Sequence, residues 1–123
     1  MHKAEVARKN IETFGIENIE IKNKDIKEGI DESNVDLIFL DLPKPFEIFE
    51  DVYDSLKVGG YLVVYAPYID QAEIAYRVAK KLNFYNIDII ETLERGLEVR
   101  KQGVRPKTRM IGHTGFLVFA RKL

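Results

Sequence analysis

Two spacings of apolar residues alternate along this chain. From 3 to 14, Ala4, Ala7, Ile11 and Phe14 recur at helical spacing, and Gly15 stands where a C-terminal cap glycine belongs. IEIKN (19–23) alternates apolar and polar like a short strand, and DIKEGI (25–30) reads as a turn. VDLIFLDL (35–42) is a nearly continuous apolar run, the mark of a parallel strand buried on both faces, and Pro43 and Pro45 stop it. Helical spacing returns over 46–56 with Phe46, Phe49, Tyr53 and Leu56 on one stripe. Lys57-Val58-Gly59-Gly60 then predicts a tight turn into the strand YLVVYA (61–66). Asp70 and Glu73 have the spacing of a capping box opening a helix whose inner face is Ile74, Ala75, Val78, Ala79 and Leu82. NIDIIETL (86–93) predicts a strand that LEVR (97–100) extends or follows, 101–112 a loop, and GFLVFARKL (115–123) the last strand.

Helices alternating with apolar strands predict a single α/β domain over 1–123, with antiparallel character at its C-terminal edge. With 46% hydrophobic residues it can bury a true core. No apolar run approaches the roughly 20 residues of a membrane span, and no signal-peptide pattern opens the chain, so the expected compartment is the cytoplasm. The absence of cysteine excludes disulfides, thiolate metal sites and cysteine catalysis, and two histidines cannot make a His-rich metal site. There is no P-loop and no GxGxxG. The net charge of -1 conceals a division: residues 1–60 hold 8 Lys and Arg against 14 Asp and Glu, whereas 61–123 hold 11 against 6. Such polarity suits one basic face toward a phosphate backbone, or is an uneven surface.

In open α/β sheets ligands bind beyond the carboxyl ends of the strands. Asp41 ends the most apolar strand, and the prolines after it stiffen a rim that can accept hydrogen bonds from an exocyclic amine. The other reading of Asp41 is a cap on the next element. Asp25 either accepts from an adenine amine or caps its own turn. RKQGVRPKTR (100–109) holds Arg100, Lys101, Arg105, Lys107 and Arg109 and no acid, a phosphate-contacting loop or a solvated one. His113 reads equally as a base or phosphate contact and as a structural residue. Phe46, Phe49, Phe116 and Phe119 read as packing, and Tyr65 and Tyr68 as stacking candidates, with a core role also open for Tyr65.

ARKNI (7–11), Asp25-Ile26, VDLIFLDLPKP (35–45), LKVGGYLVVYAP (56–67), Gln71 and RPKTRMIGHTGFLVFARK (105–122) together carry a resemblance. The chain resembles the C-terminal part of the tRNA adenine-N1 methyltransferases acting on position 58, or 57 and 58 in archaea. That resemblance implies a truncated Rossmann-like class I methyltransferase sheet, mostly parallel with an antiparallel C-terminal strand, in the order 35–42, 61–66, final strand, 86–93. It implies methyl transfer from S-adenosyl-L-methionine to a flipped adenine, with no metal. Asp41 matches the catalytic aspartate; Asp25, Asp41, Leu42 and Pro43 match the cofactor side; Tyr65, Gln71, Arg105, Arg109 and His113 fall on the RNA side. The family's Gly-rich loop and N-terminal domain would lie upstream of residue 1. Weak or absent cofactor binding is therefore expected of these residues alone. The expected partners are tRNA and either further copies of the chain or a missing N-terminal half. A non-catalytic RNA-binding module derived from that fold is the alternative.

Overall fold

The computed structural model describes residues 2–123, His2 by its backbone alone. Helix α1 spans His2–Thr13. It ends in a Schellman cap: Gly15, at φ +63°, donates to Glu12 O (3.1 Å) and Ile16 donates to Ile11 O (3.0 Å). Strand β1 is Val35–Leu40. A 3-10 turn, Pro45–Ile48, leads into α2 (Phe49–Ser55), so the single helix expected over 46–56 is divided. Strand β2 (Leu56–Ala66) begins earlier than expected, and the expected turn at 57–60 lies inside it: the register against β1 steps from Val35↔Leu56 to Leu37↔Tyr61, five residues of β2 against two of β1. Gly59 takes the positive φ (+82°) of that turn, and Gly60 presses so closely on the Lys57, Val35 and Asp36 carbonyls that a Cβ there would stand 2.9–3.2 Å from them. Next come α3 (Ile69–Lys81) and strands β3 (Phe84–Glu91), β4 (Leu97–Arg100), β5 (Gly103–Pro106) and β6 (Phe116–Lys122).

The main sheet has the order β1-β2-β6-β3. β1 and β2 run parallel, and β6 opposes both β2 and β3. Three strands thus share one direction and the C-terminal strand opposes them, in the order expected from the resemblance. One face is the core. Leu40, Leu62, Val64, Val118 and Ala120 lie buried with Phe49 and Val52 of α2 and Ala72, Ala75 and Ala79 of α3. The three alanines let α3 lie close to the sheet. Ile74, expected inward, is exposed, and Ala72 takes its place on the buried stripe. Asp70 does not cap α3; Tyr68 holds the cap position and makes no side-chain cap bond.

The opposite face of the sheet is bare. Leu37 and Phe39 of β1, Tyr61 and Tyr65 of β2 and Ile90 of β3 alternate with the core positions and stand exposed. β1 is also an edge of the sheet. Residues 19–23 form no strand, which corrects the expectation from their alternation: period-two patterning makes a ladder only where a partner offers its backbone. Ion pairs hold this segment instead. Lys22 bonds Glu32, and Lys24 bonds Asp31 at 3.0 Å. Hydrogen bonds from those lysines hold both carboxyls below their ordinary range.

A pH dependence follows. A depressed folded pKa gives stabilisation that is complete above the ordinary carboxylate values, about pH 4, and is lost as pH falls through the lowered ones. Carboxyl NMR titration should place the Asp31 and Glu32 midpoints below those of exposed carboxyls. Lys22→Ala should move both upward, Glu32 further. Unshifted midpoints in the unsubstituted chain would show the pairs to be absent in solution.

Candidate functional site

The cleft nearest the carboxyl end of β1 has a volume of about 410 Å³ and is lined by Asp25, Ile26, Lys27, Leu42, Pro43, Lys44, Glu47 and Ile48. Two chain reversals build it. On one side Asp25 opens a 3-10 turn over Ile26–Glu28 and accepts a hydrogen bond from Lys27 N (2.9 Å) through Oδ1. On the other, the Leu42-Pro43-Lys44 rim leads into the 3-10 turn that Pro45 starts. Ile26, Leu42 and Ile48 supply apolar surface that packs onto or belongs to the core, and Lys27 bridges to Glu47 at 3.4 Å. The cleft therefore offers an apolar wall and two carboxylates, of which Glu47 is paired with Lys27 and Asp25 keeps an oxygen to accept from a flat heterocycle bearing an exocyclic amine.

Asp25, Leu42 and Pro43 come together here, and the capping role of Asp25 is present as well. Asp41 stands exposed just beyond β1, and no side chain caps the turn that follows. Its carboxylate is not consumed by the alternative role read for it. The residues read on the RNA side are dispersed. Tyr65 lies on the bare sheet face with its ring against the Gly115 backbone, so closely that a Cβ on Gly115 would overlap it. Gln71 is half-buried on α3, and His113 is exposed in the segment before β6.

Arg105 lies on β5 rather than in a loop, since 97–106 folds as a two-stranded hairpin, correcting the loop expected over 101–112. Its Nε donates to Glu98 (2.7 Å), and Arg100 pairs with the same carboxylate (3.0 Å). Two of the five cations of 100–109 are thus partly neutralised. Lys107 and Arg109 line a different cleft of about 490 Å³ with Thr92, Glu94 and Thr114, and carry no ion pair among the described residues. The sequence gives no site role to Ile26, Lys27, Lys44, Glu47 and Ile48; the available signal is their adjacency to Asp25 and to the two prolines.

The family model described as tRNA methyltransferase complex GCD14 subunit matches residues 1–107. Over 108 residues the chain is 44% identical to the tRNA (adenine(57)-N(1)/adenine(58)-N(1))-methyltransferase TrmI of Methanocaldococcus jannaschii, a match covering 87% of this chain and 38% of that protein. The fold is similar to a SAM-dependent O-methyltransferase from Thermotoga maritima, with TM-score 0.89 and 35% identity over 98% of this chain and 46% of that one. It is also similar to the tRNA (m1A58) methyltransferase TrmI of Aquifex aeolicus, with TM-score 0.84 and 28% identity over 98% of this chain and 49% of that one. Both structural matches take in most of the 105–122 ending, which the family model leaves largely unmatched. The chain spans less than half the length of each of these three proteins.

Proposed function

The chain belongs to the family described as the tRNA methyltransferase complex GCD14 subunit, and from that premise we propose that it carries the adenine-facing part of a tRNA adenine-N1 methyltransferase acting at position 58. The observation that carries this reading is the convergence of Asp25, Leu42 and Pro43 on one cleft, with Asp41, exposed and next in the chain to Leu42, carrying no ion pair among the described residues.

The cleft suits the adenosine end of S-adenosyl-L-methionine. Its volume lies near the lower end of small-molecule pockets, roughly 300–1,000 Å³, and Ile26, Leu42, Pro43 and Ile48 give it an apolar side, with Asp25 and the Lys27-paired Glu47 as its acids. The cofactor supplies an electrophilic methyl group on a sulfonium. Asp25 would accept from the adenine amine through the oxygen its cap leaves over, while Ile26, Leu42 and Ile48 exclude water from the ring. Asp41 would accept from N6 of the target adenine, orient the ring, and favour the positive charge it acquires as N1 forms its new bond to carbon. N1 lies on the Watson–Crick edge, so the base must leave its stack first. Lys107 and Arg109, unpaired within the described residues, are the cations best placed to meet phosphate.

These residues include no Gly-rich phosphate and ribose clamp. A complementary half would complete the cofactor site, seated on the β1 edge and the bare sheet face. Copies of the chain and tRNA are the other proposed partners.

The test is nucleoside mass spectrometry of unmodified tRNA. It is incubated with S-adenosyl-L-methionine and the chain, alone and co-expressed with the Gly-rich first part of a TrmI relative. We expect 1-methyladenosine from the co-expressed pair and little or none from the chain alone. A folded, assembled pair that yields no 1-methyladenosine overturns the reading. Salt-dependent tRNA binding without product, weakened by Arg109→Glu, would favour the RNA-binding module instead.

A further inference from the structure

Gly115 is a glycine for a reason of space. It does not take a positive φ, so no left-handed backbone calls for glycine there. A Cβ at 115 would overlap Cε2 and Cζ of Tyr65 and stand 2.6 Å from its hydroxyl oxygen. At every other glycine of the chain an added Cβ would keep at least 2.9 Å from its neighbours. The register accounts for the contact. Tyr65 pairs with Leu117 of β6, and Gly115, two residues before Leu117, is the diagonal neighbour that an aromatic ring reaches. Thr114 fixes this point in turn. Its hydroxyl lies 3.3 Å from Thr92 O, just beyond β3, and 3.1 Å from Gly115 O, its one hydrogen serving either. The entry of β6 is thus tied to the end of β3, and the Tyr65 ring lies on that entry.

Asp41 lies on the other side of β2. The parallel register ends with Leu40 beside Val64, and one residue further sets Asp41 beside Tyr65. Leu40 and Val64 are buried in the core, so alternation turns Asp41 and Tyr65 to the bare face. β1 and β6 flank β2 on opposite sides, so a ring leaning onto Gly115 leans away from Asp41, and Tyr65 stays 36% exposed. We propose that Gly115 is a positioning residue for the methyl transfer: by carrying no side chain it holds the Tyr65 ring over the entry of β6, where the ring walls a stacking place for the target adenine and leaves the space before Asp41 clear. The proposal rests on the methyltransferase reading given above. Gly115 touches no reacting atom and acts through Tyr65. Reacting atoms must be held within about 3–3.5 Å of each other, so a base presented to Asp41 needs an aromatic surface of fixed orientation. An alanine at 115 would drive the ring off the strand, into solvent or toward β1 and over Asp41.

Two measurements test the assignment, one on the chain alone and one on the pair co-expressed with a Gly-rich half. For the first, the six tyrosines are labelled with fluorine, and the Tyr65 resonance is the one lost in Tyr65→Phe. Gly115→Ala should move that resonance and leave the other tyrosines in place. A short single-stranded RNA holding one adenine should also move it, and the same RNA with that base removed should not. Gly115→Ala should raise the RNA concentration at half-response at least about fivefold, the low end of one stacked base. For the second, Gly115→Ala should lower the single-turnover rate of 1-methyladenosine formation at least about tenfold, with half-saturation by cofactor within about twofold. Tyr65→Ala should lower the rate too, and Gly115→Ala/Tyr65→Ala should fall no further than Tyr65→Ala, because the overlap is gone. The double variant also keeps the test sound if Gly115→Ala folds poorly.

A Tyr65 resonance unmoved by Gly115→Ala overturns the proposal. So do losses of rate that simply add in the double variant, which would mean that Gly115 acts through something other than Tyr65. Product formed at an undiminished saturated rate by Gly115→Ala would leave the enzymatic reading standing and remove Gly115 from it. A pair that forms no 1-methyladenosine, while Tyr65 answers the adenine only with glycine at 115, would do the reverse: the enzymatic reading would go, and Gly115 would remain the setting of a base-binding ring.

Discussion

Phe49→Ala should destabilise the chain by about 3–5 kcal/mol, the range for emptying an aromatic site in a core. The ring is fully buried and meets Phe84 edge-on, with centroids 6.5 Å apart and planes at 64°. Phe84 in turn takes the edge of Tyr53 at 5.0 Å. Phe49 sits where α2, the end of the 3-10 turn and the sheet meet, beside Val52 and Leu56, so no one element can relax to fill the space alone. A domain of this size is stable by only about 5–15 kcal/mol, and the variant should be partly unfolded on mild heating. Urea titration should show a lower midpoint with an unchanged slope. Ile74→Ala is the matched control: Ile74 is exposed on α3, and its loss should stay within about 0.5 kcal/mol. A cost below about 1 kcal/mol for Phe49→Ala would mean that the layer of α2 and α3 on the sheet is not the unit that holds the chain folded.

The difference between those two positions also marks what the sequence disclosed. Phe46, Phe49, Tyr53 and Leu56 form a coherent stripe, and all four join or pack on the core although the backbone beneath them changes from 3-10 to α and, at Leu56, to strand. Burial depends on spacing more than on which backbone conformation carries it. On α3 the buried stripe is Ala72, Ala75 and Ala79, and Ile74, the largest apolar side chain of the expected face, is displaced from it. Close approach to a sheet selects small residues, which hydrophobicity alone does not predict. Strand order followed from the family resemblance rather than from any pattern in the residues, and the matches to known proteins show both that family and its Rossmann-like fold.

Elements that need a partner were the ones misread. IEIKN has the alternation of a strand but no neighbour to bond, and is held by Lys22 and Lys24 instead. LEVR and GVRP pair across Lys101-Gln102, and the alternation of apolar and charged residues on both arms was available to be read. Gly103 and Pro106 disguised the second arm as loop. That error carried into the site, because only a hairpin brings Glu98 onto Arg100 and Arg105, and the segment counted as uniformly basic contains a neutralised portion. Asp25, Leu42 and Pro43 are grouped on the cofactor side by the family resemblance, and they line one cleft although the segment before Asp25 forms no strand. Tyr65, Gln71, Arg105, Arg109 and His113 were grouped only by lying in family-matched segments, and the structure spreads them over a sheet face, a helix, a hairpin and a separate cleft.

For the chain completed by a Gly-rich half, Asp41→Ala should lower the rate of 1-methyladenosine formation at least about 100-fold, the scale of removing a group that stabilises developing charge. Two properties of Asp41 underlie the expectation. It stands at the end of β1, a strand fixed by parallel pairing with β2 from Leu37 to Leu40, so its backbone position is set by the sheet. It is also exposed beside a turn that no side chain caps, and removing it should leave stability within about 0.5 kcal/mol. A large loss of rate with an unchanged unfolding midpoint would assign Asp41 to the chemistry.

Asp41→Asn separates its two proposed tasks. The amide oxygen can still accept from N6 and orient the base, while the negative charge that offsets the charged ring is gone. Asn should therefore retain tRNA affinity and lie between Asp and Ala in single-turnover rate. Equal rates for Asn and Ala would place the whole effect in charge; equal rates for Asn and Asp would place it in orientation. Asp25→Ala should differ in kind. It removes the cap on the Ile26–Glu28 turn and one rim of the cleft, so it should raise the cofactor concentration needed for half-maximal rate more than it lowers the rate at saturation. If Asp41→Ala instead altered only cofactor affinity and left the saturated rate intact, Asp41 would belong with Asp25 on the cofactor side. The base contact would then have to come from elsewhere around the carboxyl ends of β1 and β2.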